Sequence, residues 1–157
     1  MVLDNRQLHL SKNELVELAP DICDRKFGVG SDGIMALLHP ENDQADYTMF
    51  FRNPDGSDAG MCGNGARCMA LFAHALGFDV SHQFNVHDQL YDAVVEDDKT
   101  VRISFPMQAS ATKHQINGQT LYSIHTGTEH LVRTVDEGML ADEDTLRELG
   151  QRLRYHE

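Results

Sequence analysis

Behind Ser11, apolar residues recur at helical spacing: Leu15, Val16, Leu18, Ala19, Ile22 and Cys23. Ser11 followed by Glu14 forms a capping box, so the pattern predicts a helix from Lys12, bent or shortened at Pro20. Cys23 falls on its apolar face and reads as a core thiol. The run Ile34–Leu38 is short and wholly apolar, as expected of a strand entered from a glycine-rich turn. Tyr47, Met49 and Phe51 alternate with Thr48, Phe50 and Arg52, which predicts a largely buried strand. Asn53-Pro54-Asp55-Gly56 then supplies a turn. Between residues 66 and 76 only Arg67 and His74 are polar, which predicts a helix enclosed on most sides and ended by Gly77. Downstream, short strands are expected at 84–91, 93–96 and 100–105, the last two joined at Asp97-Asp98. Asn117-Gly118 marks a hairpin between strands near 114–116 and 120–125, and 131–135 reads as one more strand. Residues 142–155 form an amphipathic helix with Leu146, Leu149 and Leu153 on one face. Many strands about one apolar helix predict an α+β fold, its mixed or antiparallel sheet wrapped as a partial barrel around a central buried helix.

Composition narrows the partners. The 157 residues suffice for about one domain, and their 25 acids against 13 bases give a net charge of −12. The acids are dispersed, so no basic patch exists to collect phosphates, which argues against nucleic acid and anionic membrane. Three cysteines, an odd count, do not make a disulfide framework, and a reducing cytoplasm is the expected compartment. No apolar run reaches the length of a membrane span, and Met1 is followed by no signal-peptide pattern.

The candidate chemistry gathers at Cys62. Gly28-Val29-Gly30-Ser31-Asp32-Gly33 fits the dinucleotide fingerprint in letters, but a helix precedes it and an apolar strand follows, the reverse of what that fingerprint needs. Cys62 sits just before the apolar helix, where unpaired N–H groups favour negative charge. Gly63 and Gly65 carry no side chains, so a ligand can approach the backbone, and the same N–H groups suit a carboxylate. Zinc would want a closely spaced cysteine pair; Cys68 instead lies inside the helix and reads as structural, and no metal is expected. A buried structural thiol is the competing reading of Cys62, against which the glycines on one side and the Asn53–Ser57 turn on the other both weigh.

Asn53-x-Asp55-Gly56-Ser57 followed by Met61-Cys62-Gly63-Asn64-Gly65-Ala66-Arg67-Cys68 resembles the signature of the diaminopimelate epimerases. Asp24-Arg25 with Gly28-Val29-Gly30-Ser31-Asp32-Gly33 is similar to the family's upstream segment and stands in the family's order. The resemblance implies cofactor-independent epimerisation of L,L-diaminopimelate to the meso form, in the making of lysine and peptidoglycan precursors. It implies paired pseudo-symmetric domains, each a mixed sheet around a central helix, and a pair of cysteines working as thiolate and thiol on opposite faces of the α-carbon. On this basis Cys62 matches one acid–base cysteine, Gly63 and Asn64 the backbone amides that bind carboxylate, and Asn53 a substrate contact. His130, in Gly127-Thr128-Glu129-His130 where the family has G-N-P-H, matches a histidine that tunes the cysteine pair; Thr128 and Glu129 depart from the pattern.

No second C-G pair follows Cys68, and the family's Glu-Arg pair for the substrate is also missing. Arg154-Tyr155-His156 resembles the stretch just before the second domain's substrate-binding residues. Met1-Val2-Leu3-Asp4-Asn5 resembles the end of the family's opening strand, so residues 1–157 are expected to be the N-terminal domain of a two-domain epimerase cut at both ends, with the crossover beginning near 137–157, the second domain absent and the chain inactive alone. Expected partners are a small amino-acid substrate and, in the full-length enzyme, a second copy. The alternatives are a related cysteine-dependent racemase or isomerase of the same fold, and a non-catalytic remnant that binds a small acid.

Overall fold

The computed structural model describes residues 1–106 and 110–155. His156, the last residue of the Arg154-Tyr155-His156 resemblance, lies outside them. The chain divides into two compact units, residues 1–108 with 126–128 and residues 109–125 with 129–157.

The first unit is built on a six-stranded mixed sheet in the order β1 (Val2–Asp4), β2 (Ile34–Leu38), β3 (Tyr47–Arg52), β4 (Ser81–Val86), β5 (Gln89–Val95) and β6 (Val101–Ser104). The pairs β1–β2 and β3–β4 are parallel and the others antiparallel. A parallel pair needs a crossover, and here each crossover contains a long helix. The first passes through the short α1 (Asn5–Leu8) and then α2 (Lys12–Cys23); the second passes through α3 (Gly63–Ala75). Strand order advances in one direction while β3 and β4 run opposite to β1 and β2. Right-handed crossovers then put α2 and α3 on opposite faces of the sheet.

The core follows that geometry. β2 alternates between the two faces: Ile34 and Ala36 join Phe50, Leu15 and Ala19 beneath α2. Met35 and Leu37 join Tyr47, Met49, Phe84 and the inner side of α3. Burial on both faces is why β2 reads as an unbroken apolar run. The Ser11 capping box is complete, with Ser11 Oγ accepting from the Glu14 N–H and the Glu14 carboxylate accepting from the Ser11 N–H. Pro20 lies inside α2, which runs on to Cys23, a buried thiol as expected.

Helix α3 is found where the pattern put it, but its enclosure is corrected. It touches β1 and β2 at one end of the strand order and β5 and β6 at the other, so the sheet bends across it. Its buried residues are Gly65, Ala66, Met69, Ala70 and Ala73, all on one face, while Arg67, Cys68 and His74 are exposed. The helix is covered on one side, and Cys68 is a surface thiol instead of a structural one. Gly77, at φ 99, ends it as expected, with the Phe78 N–H donating to the Ala73 carbonyl.

The strand expected over 84–91 is instead two. His87 takes φ 50 and, with Asp88, turns β4 back along β5. No glycine, asparagine or proline announces that turn.

In the second unit β7 (Thr112–Ile116), β8 (Gln119–His125) and β9 (Glu129–Val132) form an antiparallel sheet. Asn117 and Gly118 have φ 51 and 74, as a type I′ turn requires. A short α4 (Glu137–Leu140) precedes α5 (Glu143–Arg154), on which Leu146, Leu149 and Leu153 are half-buried. Among the described residues no helix is long and apolar enough to cross a membrane.

Candidate active site

One loop, from the end of β3 to the start of α3, carries both Asn53 and Cys62. Its first part is a closed turn. The Asn53 carbonyl accepts from the Gly56 N–H at 2.9 Å, and the Asn53 N–H donates to the Ser57 carbonyl at 2.9 Å. The Ser57 hydroxyl and N–H hold the Asp55 carboxyl below the usual carboxylate range. Gly56 has φ 81, and a Cβ there would stand 2.9 Å from the Val16 carbonyl oxygen. That carbonyl lies four residues, about one helical turn, before Pro20, which has no N–H to give it, and glycine lets the turn press against α2. The Asn53 side chain donates to Ser57 Oγ at 3.0 Å and to the Asp58 carbonyl at 3.3 Å, so its amide nitrogen is spent on the loop itself.

Cys62 is the N-cap of α3. Its backbone is extended, with φ −113 and ψ 111, and Sγ accepts from the Gly65 N–H at 3.4 Å. The Ala66 N–H donates to the Cys62 carbonyl at 2.8 Å. Those bonds leave the N–H groups of Gly63 and Asn64 as the first-turn donors available to a bound anion. The thiol is half-buried, at the positive end of a helix. The glycines on either side of Asn64 differ in what they do. A Cβ on Gly63 would meet only the Phe105 ring, at 3.8 Å, so that side is open. A Cβ on Gly65 would fall 2.7 Å from Met35 Sδ. Gly65 therefore also seats the helix on β2. Asn64 is exposed, and its side-chain oxygen accepts from the Arg67 guanidinium.

The motif downstream is divided between the units. Gly127 has φ 94 and belongs to the first unit, where a Cβ would lie 2.7 Å from Met61 Cβ. A Cβ on Gly60 would lie 3.5 Å from Thr128 Cγ2. Gly127 and Thr128 thus pack beside the residues that lead into Cys62. His130 lies on β9 of the second unit, opposite Ile124 and exposed. There it lines a hollow of about 510 Å³ with His125, Glu129 and Arg154.

Sequence reasoning missed the ionic group around Asp58. Its carboxylate stands 3.0 Å from Arg52 Nη1 and 3.2 Å from His87 Nε2. Arg52 and Asp58 were within reach of a reading that followed the β3 turn, but a strand drawn through His87 hid the third member.

Comparison with known proteins agrees with the signature. The diaminopimelate epimerase family profile matches residues 1–111. A protein of Flavobacterium psychrophilum named diaminopimelate epimerase is 31% identical over 157 aligned residues, covering 99% of this chain and 57% of the relative. A Hydrogenobaculum protein of the same name is 32% identical over 175 residues, covering 100% of this chain and 61% of the relative. A Cyanothece protein, also so named, is 60% identical over 57 residues, which is 36% of this chain and 20% of its own length. The chain thus spans about three-fifths of the length of the first two.

Proposed function

The chain belongs to the diaminopimelate epimerase family, and on that premise we propose that it supplies one half of a two-cysteine epimerase acting on L,L-diaminopimelate. Cys62 is the acid–base group on one face of the substrate's α-carbon. The observation that carries this reading is the position of Cys62 as N-cap of α3, its sulfur accepting from Gly65 beside the N–H groups of Gly63 and Asn64.

The chemistry follows from charge. Removing an α-proton without a carbonyl cofactor leaves carbanion character next to a carboxylate. Preorganised N–H dipoles aimed at that carboxylate stabilise the developing charge and cost no reorganisation. In this proposal the Gly63 and Asn64 amides take the carboxylate and the Cys62 sulfur takes the proton. Asn53, its amide nitrogen held by the loop, meets the substrate through its side-chain oxygen at the β3 end. Inversion then requires a second proton donor on the opposite face. Cys23 is buried in the α2 core and Cys68 lies on the outer face of α3, so neither is that donor.

In the same proposal residues 1–157 are the N-terminal part of a two-domain enzyme, with the crossover beginning near 137–157. The enzyme pairs as a homodimer and serves lysine and peptidoglycan precursor synthesis in the cytoplasm, where a thiol stays reduced.

Incubation with L,L-diaminopimelate in deuterated water tests the reading. The chain should introduce deuterium at an α-carbon with the L,L configuration retained, because one acid–base group removes and returns the proton on one face. Cys62→Ser should lose that exchange while staying folded, since serine is a good N-cap. Meso product above the Cys62→Ser background would overturn the single-cysteine reading, and no deuterium uptake would overturn the role given to Cys62.

A further inference from the structure

We infer that Asp58 is a positioning residue that clasps the carboxyl ends of β3 and β4 and so fixes the loop carrying Asn53 and Cys62. The inference rests on the proposed role of Cys62. β3 and β4 are paired only at Tyr47–Phe84 and Thr48–Asn85, where Thr48 Oγ1 also donates to Asn85 Oδ1 at 2.7 Å. Beyond that point the strands part. A cavity of about 70 Å³ opens between them, lined by Phe50, Arg52, Asp58, Val86 and His87 among others.

Asp58 spans this opening. Its Oδ2 lies 3.0 Å from Arg52 Nη1, at the end of β3, and 3.2 Å from His87 Nε2, just past the end of β4. Its Oδ1 accepts from the Gly60 N–H at 2.8 Å, and its carbonyl accepts from Asn53 Nδ2 at 3.3 Å. Asp58 and Arg52 also form an isolated backbone bridge. One residue therefore ties together both strand ends, the candidate substrate contact and the segment that leads through Met61 to Cys62.

The clasp has a fixed base. The Arg52 guanidinium lies 4.3 Å above the centre of the Phe50 ring, and only 16% of its side chain is exposed. Burial opposes charge on Asp58, but the Gly60 N–H, Arg52 and His87 outweigh it and hold the carboxyl below its usual range. Asp58 is therefore a carboxylate at neutral pH. Asp55, by contrast, bonds within its own turn, through Ser57.

Iodoacetamide labelling of the full chain, read peptide by peptide in mass spectrometry, tests the clasp without reference to catalysis. Cys62 is half-buried, and Cys68, exposed on the same helix, is the internal control. Asp58→Asn should raise the Cys62 rate about fivefold, the factor carried by one net hydrogen bond, and leave the Cys68 rate unchanged. Asp58→Glu should restore most of the difference. His87→Gln, which cuts one arm and keeps the carboxylate, should shift Cys62 the same way by less, and it decides the matter if Asp58→Asn does not fold. An unchanged Cys62 rate, or equal acceleration of both cysteines, would overturn the inference. Deuterium uptake absent from wild type would sink the proposed function and leave this labelling result standing.

Discussion

Gly127 holds a position that no other residue fits well, for two separable reasons. Its φ of 94 is unfavourable to any L side chain, and a Cβ would lie 2.7 Å from Met61 Cβ. Gly118 provides the comparison: its φ is 74, and a Cβ there would meet nothing within 4 Å. Gly118→Ala should therefore show backbone strain alone, about 1–2 kcal/mol. Gly127→Ala adds steric overlap inside the packed first unit and should cost about 3–4 kcal/mol. Urea unfolding of the two variants measures the difference. Equal losses would mean that the approach to Met61 contributes nothing. The contact also explains why Gly127 sits beside the loop of Cys62 when sequence distance gives no hint of it.

Among the elements, α2 was the most legible and α3 the most misleading. Every step in α2 is local. The cap, its Glu14 partner and the apolar stripe act within a few residues of one another, so chemistry read along the chain is chemistry in the fold. Leu15 and Ala19 are fully buried against Ile34, Ala36 and Phe50. Ser11→Ala should lower stability by about 1 kcal/mol, and Ser11→Asp should keep most of it, since either side-chain oxygen can accept from the Glu14 N–H. A thermal or urea midpoint unmoved by Ser11→Ala would show that packing alone holds the helix start. In α3 the apolar count suggested enclosure because Cys68, Ala75 and Leu71 scored with the core residues. The true signal was positional: Asn64, Arg67, Leu71 and His74 share one face, and Arg67 with His74 marks it as the outward one. Cys62 was legible as a helix-mouth thiol because capping is local. The clasp at Asp58 was not, because it depends on where β3 and β4 part, and the β4 boundary turned on His87, a residue that gives no turn signal.

The whole molecule divides its stability as unevenly as its core. In the first unit two apolar clusters sandwich one sheet, and Leu37, Tyr47, Phe84 and Met69 are fully buried. In the second, Leu121 is the buried apolar side chain among the described residues; β9 is exposed along its length and α5 has no buried residue. A three-stranded sheet needs an apolar face well covered to stand alone. Burial of a large apolar side chain gives about 1.5–3 kcal/mol, so a few such residues decide which segments open only when the molecule unfolds. Amides of β2 to β5 should exchange with solvent at least about a thousandfold more slowly than those of β8, β9 and α5, the factor for a gap near 4 kcal/mol. Hydrogen exchange read by mass spectrometry gives both rates in one experiment. Uniform protection would mean that both units open together and that burial does not set local stability here. The same division seats α3, with Cys62 as its N-cap, on the larger core, and the role proposed for Cys62 needs such a seat, since a group that transfers protons has to be held by a rigid element.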